Sequence, residues 1–165
     1  MSSLQFLSTY RETSEEFFTK FFKEKKKEAK KIDPLTLDAV KKLEAYIQGG
    51  KKVRGALTVL GYKALGGKSQ KNIIPVSVAA EILHSSLLIH DDFIDHDEVR
   101  RGKPTMHKVY SKGKSDHYGA SIALIVGDMG LFLGHNLVAD SNFDSKRILK
   151  AISELDRLLV NTAYG

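Results

Sequence analysis

The sequence predicts an all-α fold, a bundle of several helices packed side by side. Apolar residues recur at helical spacing through almost the whole chain, and no alternation bounded by hairpin signals persists. The breaks between periodic segments are glycine pairs or a proline, residues that end helices rather than extend strands.

Leu4, Phe6, Leu7, Tyr10, Phe17, Phe18, Phe21 and Phe22 give a first helix one apolar side, which runs out near the "KKIDP" segment. Asp33-Pro34 reads as a turn, and a second short helix from Leu37 to Ile47 stops at Gly49-Gly50. A third runs from about Lys52 to Leu65 and ends at Gly66-Gly67. A fourth starts near Asn72, read as an N-cap with Pro75 in the first turn, and reaches an acidic cluster at Asp91. Gly102 and Pro104 break the pattern. A further apolar helix covers roughly Asp116 to Val138, and a last one Asp144 to Ala163, with Gly165 available as a C-terminal cap. There is no internal repeat or low-complexity linker, so residues 1–165 read as one helical domain or as the N-terminal portion of a larger one.

With 42% hydrophobic and 28% charged residues the chain is globular rather than disordered. The absence of cysteine excludes disulfide scaffolds and zinc–thiolate sites. The start "MSSLQFLSTYRE" lacks a basic segment followed by an apolar core, so no signal peptide is expected. The longest apolar run, Ile122 to Val126, is far too short to span a bilayer, which makes a cytoplasmic protein without a transmembrane segment the expectation. Of the net charge of +6, the stretch from Lys20 to Lys31 supplies +5, with seven lysines against two glutamates. A charge that local reads as a solvated helix face with Glu–Lys pairs, not as a nucleic-acid surface.

Chemistry concentrates in "LLIHDDFIDHDEVRRGKPTMH", from Leu87 to His107. Asp91, Asp92, Asp95, Asp97 and Glu98 crowd the end of an apolar helix, and Arg100, Arg101 and Lys103 follow at once. Close carboxylates repel unless a cation sits among them. Asp91 and Asp95 are four apart, so they share a helix face with Cβ atoms about 5–6 Å apart. That spacing lets them share Mg²⁺, which favours hard oxygen ligands and keeps places for water and phosphate oxygens. His84, Leu88, Asp91 and Asp95 form one stripe, while Ile82, Leu83 and Ile89 can face the core. A solvated helix terminus is the other reading of three acids in this place. The second constellation is "GGKKVRG", where a glycine turn lets Lys51 and Arg54 project from the start of a helix beside exposed N–H groups, a ready diphosphate site. Ordinary loop composition gives the same letters.

The order of these two blocks resembles the trans-isoprenyl diphosphate synthases, or polyprenyl synthetases, whose signatures are GGKxxRP and then DDxxD followed by RRGxPT. "IVGDMGL" around Asp128 is similar to the family's GDxLL segment and reads mainly as packing. The resemblance implies that Asp91 and Asp95, with Asp92 in support, hold Mg²⁺ ions that grip the diphosphate of an allylic prenyl substrate, and that Arg100 contacts the same group. It implies that Lys51, Arg54, His84 and Arg101 bind the diphosphate of isopentenyl diphosphate. It also implies a homodimer. Product length is implied by residues before the first aspartate motif: Ser86 and Leu87 lie beside the tail, and Leu83 lies one turn deeper. A small Ser86 leaves room there, so the expected product is geranylgeranyl diphosphate or longer.

Two departures matter. Gly55 stands where the family has proline, a change expected to relax the turn without removing a ligand. No second DDxxD is present, because "DSNFD" at Asp140 to Asp144 lacks the adjacent pair. "NTAYG" resembles the lead-in to the family's GQxxDL segment, so the chain resembles the first half of such an enzyme. A non-catalytic diphosphate-binding or regulatory subunit, paired with a chain that carries the second motif, is the alternative. A His/Asp phosphohydrolase, suggested by His90-Asp91 and His96-Asp97, leaves GGKKVRG and RRGKPT unexplained.

Overall fold

The computed structural model describes residues 2–48 and 50–164; Gly49 of the glycine turn and the Gly165 cap lie outside the described residues. Helices α1 (Ser3–Lys30), α2 (Pro34–Gln48), α3 (Val53–Ala64) and α4 (Gln70–Ile94) come first. A small hairpin follows, β1 (Val99–Arg100) and β2 (Lys103–Pro104), and then α5 (Met106–Ser111), α6 (Asp116–Ala139) and α7 (Ser145–Tyr164). The all-α expectation holds.

Capping chemistry sets the boundaries and corrects several of them. Ser2 and Gln5 form a reciprocal capping box at the start of α1. The second helix begins at Pro34, not Leu37. Asp33 accepts the Thr36 N–H at 2.9 Å, and proline is at home in a first helical position, where its missing N–H is not required. Ser69, not Asn72, caps α4, its Oγ accepting from the Asn72 N–H at 3.3 Å. The Asn72 amide instead donates to the Asn142 carbonyl, 2.7 Å away, and Pro75 lies inside the helix. The hairpin was not expected. Its loop is Arg101-Gly102, with φ of +53° and +73°, the positive-φ pair that matches a two-residue turn to twisted strands. Asn-Gly would have announced such a turn; Arg-Gly does not.

The central helix is α4. It packs against α6 and α3 and also touches α1, α2 and α5. Phe18, Phe22, Leu43, Ile47, Ile82, Ile89 and Val126 are the large side chains fully enclosed around it. The α4–α6 contact is close because α6 presents small residues: Gly127 against His90, Gly130 against Ser86 and Gly134 against Leu83. Cβ atoms at these three positions would overlap the α4 side chains, so the glycines let the two backbones approach. On the lysine-rich stretch of α1, Lys25 pairs with Glu28, Lys27 with Glu24 and Lys26 with Glu44.

Both α4 and α6 are long and apolar enough to cross a membrane by length and composition, which the short run Ile122 to Val126 did not suggest. Most of the apolar window of α4, 61% of it, is buried in the bundle. By contrast α7 buries none of its described residues completely and packs on α6 alone among its larger helix contacts. Leu149, Leu158 and Val160 of α7 are exposed, as are Ile125 and Phe132 of α6.

Candidate functional site

The acidic end of α4 is split between solvent and interior. Asp91 and Asp95 are exposed, as their shared face requires, and Asp95 closes the helix through its N–H to the Asp91 carbonyl at 2.8 Å. Among the described residues no hydrogen bond or ion pair engages the Asp95 carboxylate. Asp92 is fully buried. Its carboxylate accepts from the Tyr46 hydroxyl at 2.7 Å and is bonded by Arg100 Nε. Arg100 Nη2 also lies 3.3 Å from both Asp91 and Asp97, so one guanidinium gathers three carboxylates. This answers the opposition between acids and the negative pole of the helix. Burial, then the hydrogen bond and charge of Asp92, push the Tyr46 phenol far above its ordinary range. Arg100 reaches the acids from β1, just past the turn that ends α4. Thr105 closes that turn, its Oγ1 donating to the Asp97 carbonyl at 2.7 Å and its N–H to the Glu98 carbonyl at 3.0 Å.

Among the described residues, no three His, Cys, Asp or Glu side chains are grouped to hold a metal ion. Asp91 and Asp95 offer two exposed hard-oxygen donors. Such a pair suits Mg²⁺ completed by water and phosphate oxygens, not a site closed by protein alone.

A basic cluster sits beside the acids. Lys51 is exposed, and its carbonyl accepts from Arg11 Nη2 at 2.9 Å and Nε at 3.2 Å. Lys52 takes the left-handed conformation, φ +58°, and turns inward. Its ammonium donates to the Ile47 carbonyl and lies 4.5 Å from the Phe18 ring centre. Burial holds its pKa below the usual lysine range, with Glu81 and Glu15 opposing that drop. Arg54 projects from the first turn of α3 and is exposed. The Arg101 guanidinium lies against Gly50, 3.5 Å from where a Cβ would stand. His84 is half-buried on α4. Burial, followed by the charges of Arg54, Arg101 and Arg100, pushes its imidazole down to about 4. A neutral ring among three guanidiniums can donate or accept a hydrogen bond at neutral pH. Thus the charges of Arg54, Arg100 and Arg101, from the start of α3 and from the hairpin, all act on the His84 ring of α4. A cleft of ≈ 500 Å³ is lined by Ala45, Tyr46, Arg100, Arg101, Lys103 and Met106 among others.

The chain-length positions lie differently from the expectation. Ser86 is fully buried, its Oγ donating to the Ile82 carbonyl at 2.9 Å and packing on Gly130. The room expected beside it is taken by the α6 backbone. Leu83 is likewise buried against Gly134, and Leu87 is half-buried. Sequence reasoning missed Tyr46, Arg11, Glu81 and Thr105. Glu81 alone left a signal, an acid three residues before His84 on an otherwise apolar helix.

The polyprenyl synthetase family model matches residues 38–165. The chain is 33% identical over 126 residues to geranylgeranyl pyrophosphate synthase 4 of Arabidopsis thaliana, covering 75% of this chain and 31% of that protein. It is 38% identical over 117 residues to the short chain isoprenyl diphosphate synthase of Methanocaldococcus jannaschii, covering 71% of this chain and 33% of the relative. Among solved structures it superimposes on geranylgeranyl pyrophosphate synthase from Corynebacterium glutamicum, complexed with isoprenyl diphosphate and magnesium, with a TM-score of 0.73 and 26% identity over 84% of this chain and 43% of that one. The chain spans about a third of the length of the curated relatives it matches.

Proposed function

The chain belongs to the polyprenyl synthetase family, and from that premise we propose that it is the N-terminal, diphosphate-binding portion of a cytoplasmic isoprenyl diphosphate synthase. The reaction is head-to-tail condensation of an allylic prenyl diphosphate with isopentenyl diphosphate, dependent on Mg²⁺. The observation that supports this most is that the charges of Arg54, Arg101 and Arg100 all act on His84, while Arg100 also pairs with the exposed Asp91. Two anionic groups can then bind side by side, one at the acids through a cation and one at the basic cluster.

The residues divide accordingly. Asp91 and Asp95 would hold Mg²⁺, which supplies positive charge to the departing allylic diphosphate. Arg100 stabilises the same leaving group as negative charge develops on it. Among the described residues its Nη1 makes no hydrogen bond, so a donor stays available while Nε and Nη2 are fixed by the acids. Asp92 and Tyr46 hold that guanidinium in place. Lys51, Arg54, Arg101 and the neutral His84 bind the diphosphate of isopentenyl diphosphate, leaving its alkene to meet the allylic carbon. Apolar side chains of α4 exclude the water that would otherwise quench the allylic cation.

Relatives named geranylgeranyl synthases support a product of twenty carbons or more. These 165 residues hold one DDxxD, so the fuller reaction is assigned to an assembly with polypeptide that carries a second, while the homodimer rests on the family resemblance alone. Calorimetry of this chain with isopentenyl diphosphate, and chromatography of products after adding a chain with the second motif, test the reading. No affinity for isopentenyl diphosphate, or equal affinity in Lys51→Ala and Arg54→Ala, overturns it.

A further inference from the structure

The family match begins at residue 38, yet the basic turn is held largely by residues before it. Arg11 of α1 donates twice to the Lys51 carbonyl. The Phe18 ring carries the Lys52 ammonium. Tyr10 closes on Gly55: a Cβ there would overlap the Tyr10 hydroxyl and stand 2.7 Å from the Ser77 carbonyl. That hydroxyl is buried beside Ser77 and Ser14, and against Gly55 Tyr10 acts by occupying space. From α4 Glu81, itself 6% exposed, accepts the Gly55 N–H at 2.6 Å. A proline at 55 has no N–H to give and would need the volume that Tyr10 fills. The glycine is therefore matched to its two neighbours, where the sequence alone suggested only a relaxed turn. Lys52 adds a reason for restraint, since a left-handed lysine persists only where its surroundings dictate it.

We propose that α1 is the positioning element of residues 50–55, the entry to α3: Arg11 and Tyr10 of α1 and Glu81 of α4 fix it, and this clamp sets how tightly Lys51 and Arg54 bind a diphosphate. The inference rests on the diphosphate role given to those two residues. Arg11 is a positioning residue: its Nε and Nη2 both engage the Lys51 carbonyl, so it acts on the diphosphate through the turn it holds.

Two measurements on the full chain test it together: calorimetric affinity for isopentenyl diphosphate and hydrogen exchange of the amides 53–56. Arg11→Ala is expected to weaken affinity about fivefold, the size of one lost charge-assisted bond on a solvated turn. It should also speed exchange at 53–56 while leaving α6 unchanged. Gly55→Ala should lose more affinity, and adding Tyr10→Leu should restore part of it by clearing the space. Glu81→Gln, which keeps an acceptor, should hold affinity better than Glu81→Ala. Unchanged exchange in Arg11→Ala overturns the clamp, and unchanged affinity there, with Lys51→Ala still losing it, overturns its link to binding. If Lys51→Ala and Arg54→Ala bind as the unaltered chain does, the diphosphate reading fails, while faster exchange in Arg11→Ala still upholds the clamp.

Discussion

Acidification should charge His84 only far below the usual histidine range. Its ring is half-buried and under the charges of Arg54, Arg101 and Arg100, so adding a proton means adding a fourth positive charge. The folded-state pKa falls from 6.5 to about 4. Between those values the unfolded chain binds more protons than the folded one, so stability rises with pH through the window. The contribution is complete above pH 6.5 and is lost as pH falls toward 4. Taken at face value the shift corresponds to about 3 kcal/mol. Solvent reaches the ring and screens the guanidiniums, which reduces the expected effect to ~1–2 kcal/mol. Imidazole signals followed by NMR isolate His84 from His107, which burial also lowers, and from His135, which its Leu131 and Asp156 bonds raise against the effect of burial. Saturating pyrophosphate should move the His84 midpoint upward, because a bound polyanion offsets the arginines. A ligand-free midpoint at the ordinary 6.5 would refute the basic cluster. A midpoint that ignores pyrophosphate would remove His84 from the anion site.

The other expectations follow from the same contacts. Asp91→Ala and Asp95→Ala should each abolish Mg²⁺-dependent binding of an allylic diphosphate with helix content unchanged by circular dichroism; unaltered calorimetric affinity in both variants defeats the metal assignment. Asp92→Ala strips a buried partner from Arg100 and Tyr46 and should cost ~2–4 kcal/mol in urea unfolding, and a loss below about 1 kcal/mol would show that the triad is not structural. Ser86→Phe drives a ring into the Gly130 contact and should destabilise by at least ~1–3 kcal/mol, so product shortening in a fully stable variant would count against this packing. With Leu149, Leu158, Ile125 and Phe132 exposed, light scattering should find the chain associated, and a monodisperse monomer contradicts that.

The fold class was legible because each long helix carries its own periodic stripe and its own stop signal. Boundaries were less so. Asp33 and Ser69 capped helices that had been started two or three residues later, since an N-cap is chosen by geometry among several eligible polar residues. The hairpin could not be read from Arg-Gly, because arginine has no preference for positive φ. For the site, the motif order raised the expectation that Arg54, His84 and Arg101, thirty and seventeen positions apart, serve one anion; the structure adds that the charges of both arginines act on the His84 ring.

What holds them there was not legible. Helical spacing tells which face a residue shares, but not which helix crosses that face. Ser86 looked like an opening because a small side chain beside a motif suggests space. In the structure the smallness is matched by Gly130 opposite, and the two together close the gap. The same logic governs Gly55, where the missing side chain is balanced by Tyr10 and the free N–H by Glu81. A small residue in one helix is thus evidence about its neighbour, and only the packing says whether the neighbour is a ligand or another helix. For the basic turn the neighbour is α1. Its aromatic stripe, which reads in sequence as plain core, also places Tyr10 against Gly55 and Phe18 against Lys52, the residues next to Arg54 and Lys51.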